Sequence, residues 1–145
     1  KAIFSGVELI SQWRISKQWN SRFGINWINN RDGDNKIIPN TMPLSINGNV
    51  HYQNPGDVIN VSINTKWVAP YRPHEYDAQK GVFVFAEQKL KGYALITIRS
   101  SLKIYNSLQL SLGVENAGNY TNSRFGPFIG RAAYLELSTQ LNQGE

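Results

Sequence analysis

Hydrophobic and polar residues alternate along most of this chain with a period of two. The clearest stretch reads Trp19-Asn20-Ser21-Arg22-Phe23-Gly24-Ile25-Asn26-Trp27, with Trp, Ser, Phe, Ile and Trp at odd positions and Asn, Arg, Gly and Asn at even ones. Successive side chains of a strand point to opposite faces, so this pattern predicts a strand with one apolar and one wet face. At about 3.3 Å per residue the two indoles stand roughly 26 Å apart along the strand, or about 20 Å in height at a tilt near 40°. That separation suits two rings at opposite interfaces of a bilayer, with Phe23 and Ile25 in the hydrocarbon between them.

The same period recurs before and after. Phe4 to Ile15 sets Val7, Leu9, Trp13 and Ile15 against Glu8, Gln12 and Arg14. Ser16-Lys17-Gln18 is a short connection to the Trp19 strand, which is expected to run to about Asn30. Leu44, Ile46, Val50 and Tyr52 oppose Ser45, Asn47, Asn49 and His51; Asn54-Pro55-Gly56 turns the chain. Ile59, Val61, Ile63, Thr65 and Trp67 then oppose Asn60, Ser62, Asn64 and Lys66. From Tyr93 to Ile104, Ile96, Ile98, Leu102 and Ile104 oppose Thr97, Arg99, Ser101 and Lys103, and Tyr105-Asn106 is a tight turn. Leu108, Leu110, Leu112 and Val114 oppose Gln109, Ser111, Gly113 and Glu115. The last strand, Arg131 to Leu141, sets Ala133, Leu135, Leu137 and Leu141 against Tyr134, Glu136, Ser138 and Gln140. About seven antiparallel strands in a meander are expected, with connections alternately short and long. The long ones cover about 31–42, where Pro39 and Pro43 exclude a central strand, then 69–92 and 118–130. Val82-Phe83-Val84-Phe85 lacks the alternation and reads as an extension of the second long loop.

Period two alone does not say whether the apolar face meets a protein core or lipid; a soluble sandwich or small ligand-binding barrel alternates equally. The rings decide the preference. Trp13, Trp19 and Tyr52 lie beside short turns, Trp27 and Trp67 beside long loops, and strand middles are mostly aliphatic. Two girdles around an apolar band describe a transmembrane barrel. Outer-membrane barrels carry short periplasmic turns and long extracellular loops, which puts Ser16, Asn54 and Tyr105 on the periplasmic side and the three long loops outside.

Composition agrees. The mean hydropathy of −0.39 and the lack of any apolar run near 18 residues exclude a helical membrane protein but not a barrel, whose wet face dilutes the average. The net charge of +5 comes from basic residues scattered singly or in pairs, which argues against a nucleic-acid partner. With no cysteine, disulfides and thiolate metal sites are excluded. No signal peptide is visible, since Lys1-Ala2-Ile3-Phe4 already leads towards a strand.

Particular words along the chain resemble a known family. Gly6-Val7-Glu8-Leu9 opens it, Gly92-Tyr93-Ala94-Leu95-Ile96 starts a strand after a long loop, and Leu112-Gly113-Val114-Glu115-Asn116 is followed by Tyr120. Gly130-Arg131 then leads into Tyr134-Leu135-Glu136-Leu137-Ser138. This order is similar to the C-terminal third of the barrel of TonB-dependent outer-membrane receptors. The resemblance covers nearly the whole chain and implies that residues 1–145 are a segment of a barrel of about 22 strands in a bacterial outer membrane. It implies as partners the remainder of the barrel, a plug domain not present in this sequence, and a TonB-type energy-coupling complex acting through the plug. The cargo it implies is a scarce nutrient such as an iron-siderophore or related metal chelate. The chain departs from the family in its last residues, Gln140-Leu141-Asn142-Gln143-Gly144-Glu145, which do not close on an aromatic. A fragment and one chain of a split receptor both remain open, as does a small eight-stranded barrel with an adhesive or structural role.

Candidate chemistry concentrates in the long loops. His74-Glu75-Tyr76-Asp77 offers metal-binding groups, but a solvated loop is the expected reading; Asp32-Gly33-Asp34-Asn35 lacks the later glutamate of a calcium loop and reads as a turn. Two histidines among many serines give no catalytic spacing, so no enzyme and no cofactor are expected. Tyr71, Arg72, His74, Tyr76, Arg124, Phe125 and Phe128 supply rings and cations suited to an anionic, aromatic chelate.

Overall fold

The computed structural model describes residues 2–38, 41–105 and 107–139. Pro39, Asn106, Gln140 and Leu141, expected in a loop, a turn and the last strand, lie outside the described residues. The strands are β1 (Gly6–Arg14), β2 (Trp19–Ile28), β3 (Leu44–Gln53), β4 (Ile59–Val68), β5 (His74–Asp77), β6 (Val82–Phe85), β7 (Tyr93–Tyr105), β8 (Leu108–Glu115) and β9 (Ala132–Thr139). Seven of them form one antiparallel sheet in the order β1-β2-β3-β4-β7-β8-β9, and β5 and β6 pair only with each other. Val82–Phe85 is therefore not an eighth strand of the sheet. It is half of a hairpin set within the second long connection.

Register explains why the faces stay sorted. Across the sheet Val7 opposes Trp27, Ile25 opposes Ile46, Val50 opposes Ile63, Ile63 opposes Ile98, Leu102 opposes Leu110, and Leu112 opposes Leu135. Residues between them pair polar with polar, as in Arg22 with Asn49, Asn49 with Asn64, Asn64 with Thr97, and Ser111 with Glu136. A slip of one residue in any pairing would turn a whole strand inside out. Ile10 and Leu95 are exceptions on the polar side, opposite Gly24 and Lys66.

Among the described residues, nothing covers the apolar face. Trp13 is 55%, Trp27 45% and Ile63 42% exposed, and the remaining large side chains of this face are exposed or half-exposed among the described residues. Among the described residues the buried apolar side chains are Val68, Ala86 and Leu90, together with Pro73, all at the end of β4 or in the excursion beyond it. A water-soluble sheet of this size would bury its greasy face rather than leave it bare.

Trp19 and Tyr52 pack with ring centroids 4.8 Å apart beside the short turns, while Trp27 and Trp67 occupy the opposite strand ends. The rings of Trp19 and Tyr52 thus lie at one end of the sheet and those of Trp27 and Trp67 at the other. On the polar face, the Tyr134 ring lies flat over its partner Gly113: a Cβ on Gly113 would meet the ring at 2.1 Å. Arg99 stands over that ring, 5.6 Å from its centroid. Gly113→Val should displace the ring and lower stability by about 1–3 kcal/mol, the usual cost of overpacking. Urea titration of the detergent-folded protein checks this; an unchanged midpoint would mean the ring swings aside freely.

Candidate functional site

The long connections at the Trp27 and Trp67 end of the sheet are built by specific side chains. The third, residues 116–131, is shaped by asparagines. Asn116 and Asn119 take left-handed backbone angles (φ 47° and 54°), which asparagine tolerates better than most residues. Asn116 Nδ2 donates to the Tyr120 carbonyl (2.7 Å) and its Oδ1 accepts from the Tyr120 N–H (3.1 Å). Asn119 Oδ1 accepts from the Arg131 N–H at 2.9 Å, an approach allowed because Gly130 has no Cβ; one there would sit 2.6 Å from that oxygen. Asn122 Oδ1 accepts from the N–H groups of Arg124 (3.0 Å) and Phe125 (2.9 Å).

Aromatic stacking ties this loop to the next. Tyr120 lies parallel to Tyr93, the first residue of β7, with centroids 4.5 Å apart and planes 3° apart. Tyr71 belongs to the same neighbourhood: burial, with a smaller contribution from Tyr120, raises its phenol above the ordinary value. Tyr71 also closes the base of the 69–92 excursion, its carbonyl accepting from the Leu90 N–H at 2.8 Å.

An open cleft of about 590 Å³ lies between the two connections, lined by Gln88, Lys89, Lys91, Tyr120, Arg124 and Phe125 among others. Leu90 is buried, so the lysines on either side of it project away from the excursion's base. No carboxylate contributes to the lining. Arg124 also stacks over the Phe125 ring at 5.5 Å from its centroid. Chemically, this is three cations beside two rings, an arrangement that attracts anions with flat, apolar parts.

The residues singled out in the sequence divide accordingly. Arg124 and Phe125 line the cleft, and Tyr71 stands at the base of the 69–92 excursion, outside the cleft's lining. Arg72 is exposed beside it, and Phe128 projects 73% exposed from the far part of the 116–131 loop. His74 and Tyr76 are on β5, on the face shared with Phe85 and Phe83: His74 packs on Phe85 at 4.0 Å and Tyr76 on Phe83 at 5.5 Å. Burial lowers the His74 pKa and favours its neutral ring. Strand alternation sends Glu75 and Asp77 to the other face, so the four-residue word does not converge on one point. Asp32 forms a turn, its Oδ1 accepting from the N–H groups of Asp34 (2.9 Å) and Lys36 (2.8 Å). Lys89, Lys91 and Tyr120 were missed as a set, although the spacing Lys-Leu-Lys was a legible signal for two cations on one side of an extended segment.

No protein-family model matches the sequence, and no curated protein does. Solved structures do. The ferric enterobactin receptor PfeA of Pseudomonas aeruginosa superposes with a TM-score of 0.79 at 16% identity, over 95% of this chain and 22% of that one. The copper transporter OprC gives 0.73 at 15% identity, over 95% and 23%. The ferripyoverdine receptor of the outer membrane of Pseudomonas aeruginosa gives 0.65 at 18% identity, over 83% and 16%. The fold is that of a TonB-dependent receptor barrel. The chain spans less than a quarter of the length of these receptors. Within this barrel fold, the words Gly-Val-Glu-Asn, Tyr120, Gly130-Arg131 and Tyr134 form one connected structure: the asparagine pins the loop, the tyrosine stacks, the glycine admits Asn119, and Tyr134 covers Gly113.

Asn116→Ala should cost the 116–131 loop about 1–3 kcal/mol, because it leaves a Tyr120 backbone donor and acceptor unpaired. Hydrogen exchange at the Tyr120 amide reads this directly; unchanged protection would mean that other contacts order the loop.

Proposed function

We propose that this chain is the C-terminal part of the barrel of a bacterial outer-membrane receptor that imports a scarce nutrient, an iron-siderophore or a related metal chelate. The reading is carried by the barrel fold, shared with proteins whose names specify ferric enterobactin, ferripyoverdine and copper, together with an apolar face that none of the described residues covers. In this reading that face meets acyl chains, the rings of Trp13, Trp19, Trp27, Tyr52 and Trp67 seat at the interfaces, and the polar face lines the barrel interior. The edges of β1 and β9 pair with further strands of the barrel, since unpaired backbone groups cost several kcal/mol each in hydrocarbon. A plug domain fills the interior and couples to a TonB-type complex.

The long connections face outside and hold the cargo. An anionic chelate enters the cleft between residues 88–91 and 120–125, where Lys89, Lys91 and Arg124 attract it and Tyr120 and Phe125 contact its rings. The reading assigns no catalytic group.

Ile25→Arg should cost about 2–4 kcal/mol, because it sets a charge at bilayer depth, while Asn26→Arg on the interior face should be nearly neutral. Equal tolerance in folding titrations from urea into lipid vesicles would contradict the assigned faces. Deleting residues 71–91 should leave assembly intact and abolish uptake. The finer change of Lys89→Glu with Lys91→Glu should cut uptake at least about tenfold, given roughly 1.5–3 kcal/mol for each charged hydrogen bond lost. Iron uptake by iron-starved cells measures both, and undiminished uptake would remove the cleft from the cargo's path.

A further inference from the structure

The polar side of the sheet is not level. One row of directly paired residues crosses five strands, from His51 through Ser62, Arg99 and Gly113 to Tyr134. The next row towards the short turns runs Gln53, Asn60, Ser101, Ser111 and Glu136. Small groups fill the middle of these rows and larger ones their ends. Ser62, Ser101 and Ser111 therefore form the floor of an open depression of about 310 Å³, bounded by His51, Tyr134 and Glu136, with Arg99 rising within it.

This depression carries unmet bonding capacity. Arg99 is exposed and stands over the Tyr134 ring, and among the described residues no carboxylate lies within 4.0 Å of its guanidinium. The Tyr134 hydroxyl is buried and has no hydrogen-bond partner among the described residues, a condition that costs stability until an acceptor arrives. Charges elsewhere on this side, Arg14, Arg22, Lys66 and Lys103 beside Glu8, are likewise outside the ion pairs of the described residues, which all lie in the long connections. Cations facing bulk water need no partner. A barrel interior filled by polypeptide removes that water, and each then needs an opposite charge.

We propose that the depression is the docking seat of a carboxylate-bearing segment of the polypeptide that the barrel encloses, with an Asp or Glu side chain of that segment on Arg99. This rests on the polar face being the barrel's interior. Position favours this occupant over the cargo, because both rows lie in the half of the sheet next to the short turns and the cationic cleft lies at the other end. The guanidinium fork matches a carboxylate, and stacking on Tyr134 keeps it oriented. A small tilt of the Tyr134 ring turns its unpaired hydroxyl to the same carboxylate. Glu136 bounds the seat on β9, two strands from Arg99, so the residue that meets it is a cation or an amide rather than a second acid.

The test uses the full protein containing this chain, in detergent micelles, with a benzophenone amino acid at Gln109 or at Asn64. Gln109 is exposed on the margin of the depression, and Asn64 is exposed on the same side of the sheet outside it. Irradiation should join Gln109 to a segment outside residues 1–145 that contains Asp or Glu, identified by mass spectrometry of the digest. Arg99→Glu should reduce this crosslink at least about tenfold, the worth of a hydrogen bond between charged groups, and leave the Asn64 crosslink in place. Arg99→Lys keeps the charge and should retain most of it. Heat-modifiable migration confirms that each variant still forms a closed barrel.

A Gln109 crosslink that reaches only other barrel strands, joins a segment without a carboxylate, or is indifferent to Arg99→Glu overturns the proposal. An Asn64 crosslink to the enclosed polypeptide with none from Gln109 leaves that polypeptide inside the barrel and removes only this seat. No crosslink from either position contradicts a filled interior as well.

Discussion

The structure depends on one constraint: a sheet that leaves a whole face of large apolar side chains bare must keep every strand in register. The pairings from Val7 with Trp27 through Ile63 with Ile98 to Leu112 with Leu135 hold seven strands in one sorted lattice. A central protein core is not what holds it, because the buried apolar residues gather at the base of one loop excursion. Backbone pairing supplies the continuity, and in a hydrocarbon solvent it is worth far more than in water because the alternative is an unsatisfied group.

From that lattice follows the division of labour between the two ends. Three of the connections are short and carry little beyond turn chemistry, as where Asn54 Oδ1 accepts from the N–H groups of Val58 and Ile59. The long connections are free to vary, yet they are far from shapeless. Asn116, Asn119 and Asn122 replace backbone pairing with side-chain pairing, and the Tyr93–Tyr120 stack sets this loop on the end of β7. Under the proposed function, a cleft bounded by loops whose backbone is already ordered lowers the ordering cost of binding.

Much of the fold was legible because strand alternation is a two-letter code read locally. Trp19 to Trp27 announced its own faces, and the exclusion of Val82–Phe85 from the sheet followed from its lack of polar positions. Strand ends were less legible: β1 begins at Gly6 rather than Phe4 and β2 stops at Ile28 rather than Asn30. There the backbone leaves the ladder for isolated bridges, Ile3 with Arg31 and Arg31 with Ile37, while side-chain alternation continues. The candidate site was only half legible. Arg124 and Phe125 stood out as a cation beside a ring, but Lys89 and Lys91 line the same cleft from more than 30 residues away in the chain, which no local pattern encodes. His74 and Tyr76 looked like neighbours of Glu75 in the sequence, and the pleat of β5 set them on opposite faces.

Sidedness is the central claim, and nitroxide accessibility in lipid bilayers tests it most directly. Labels at Ile63→Cys and Leu110→Cys should collide preferentially with oxygen, which concentrates in hydrocarbon. Labels one residue along, at Asn64→Cys and Ser111→Cys, should collide preferentially with a water-soluble nickel chelate. Four labels with the same preference, or the reverse alternation, would contradict the account.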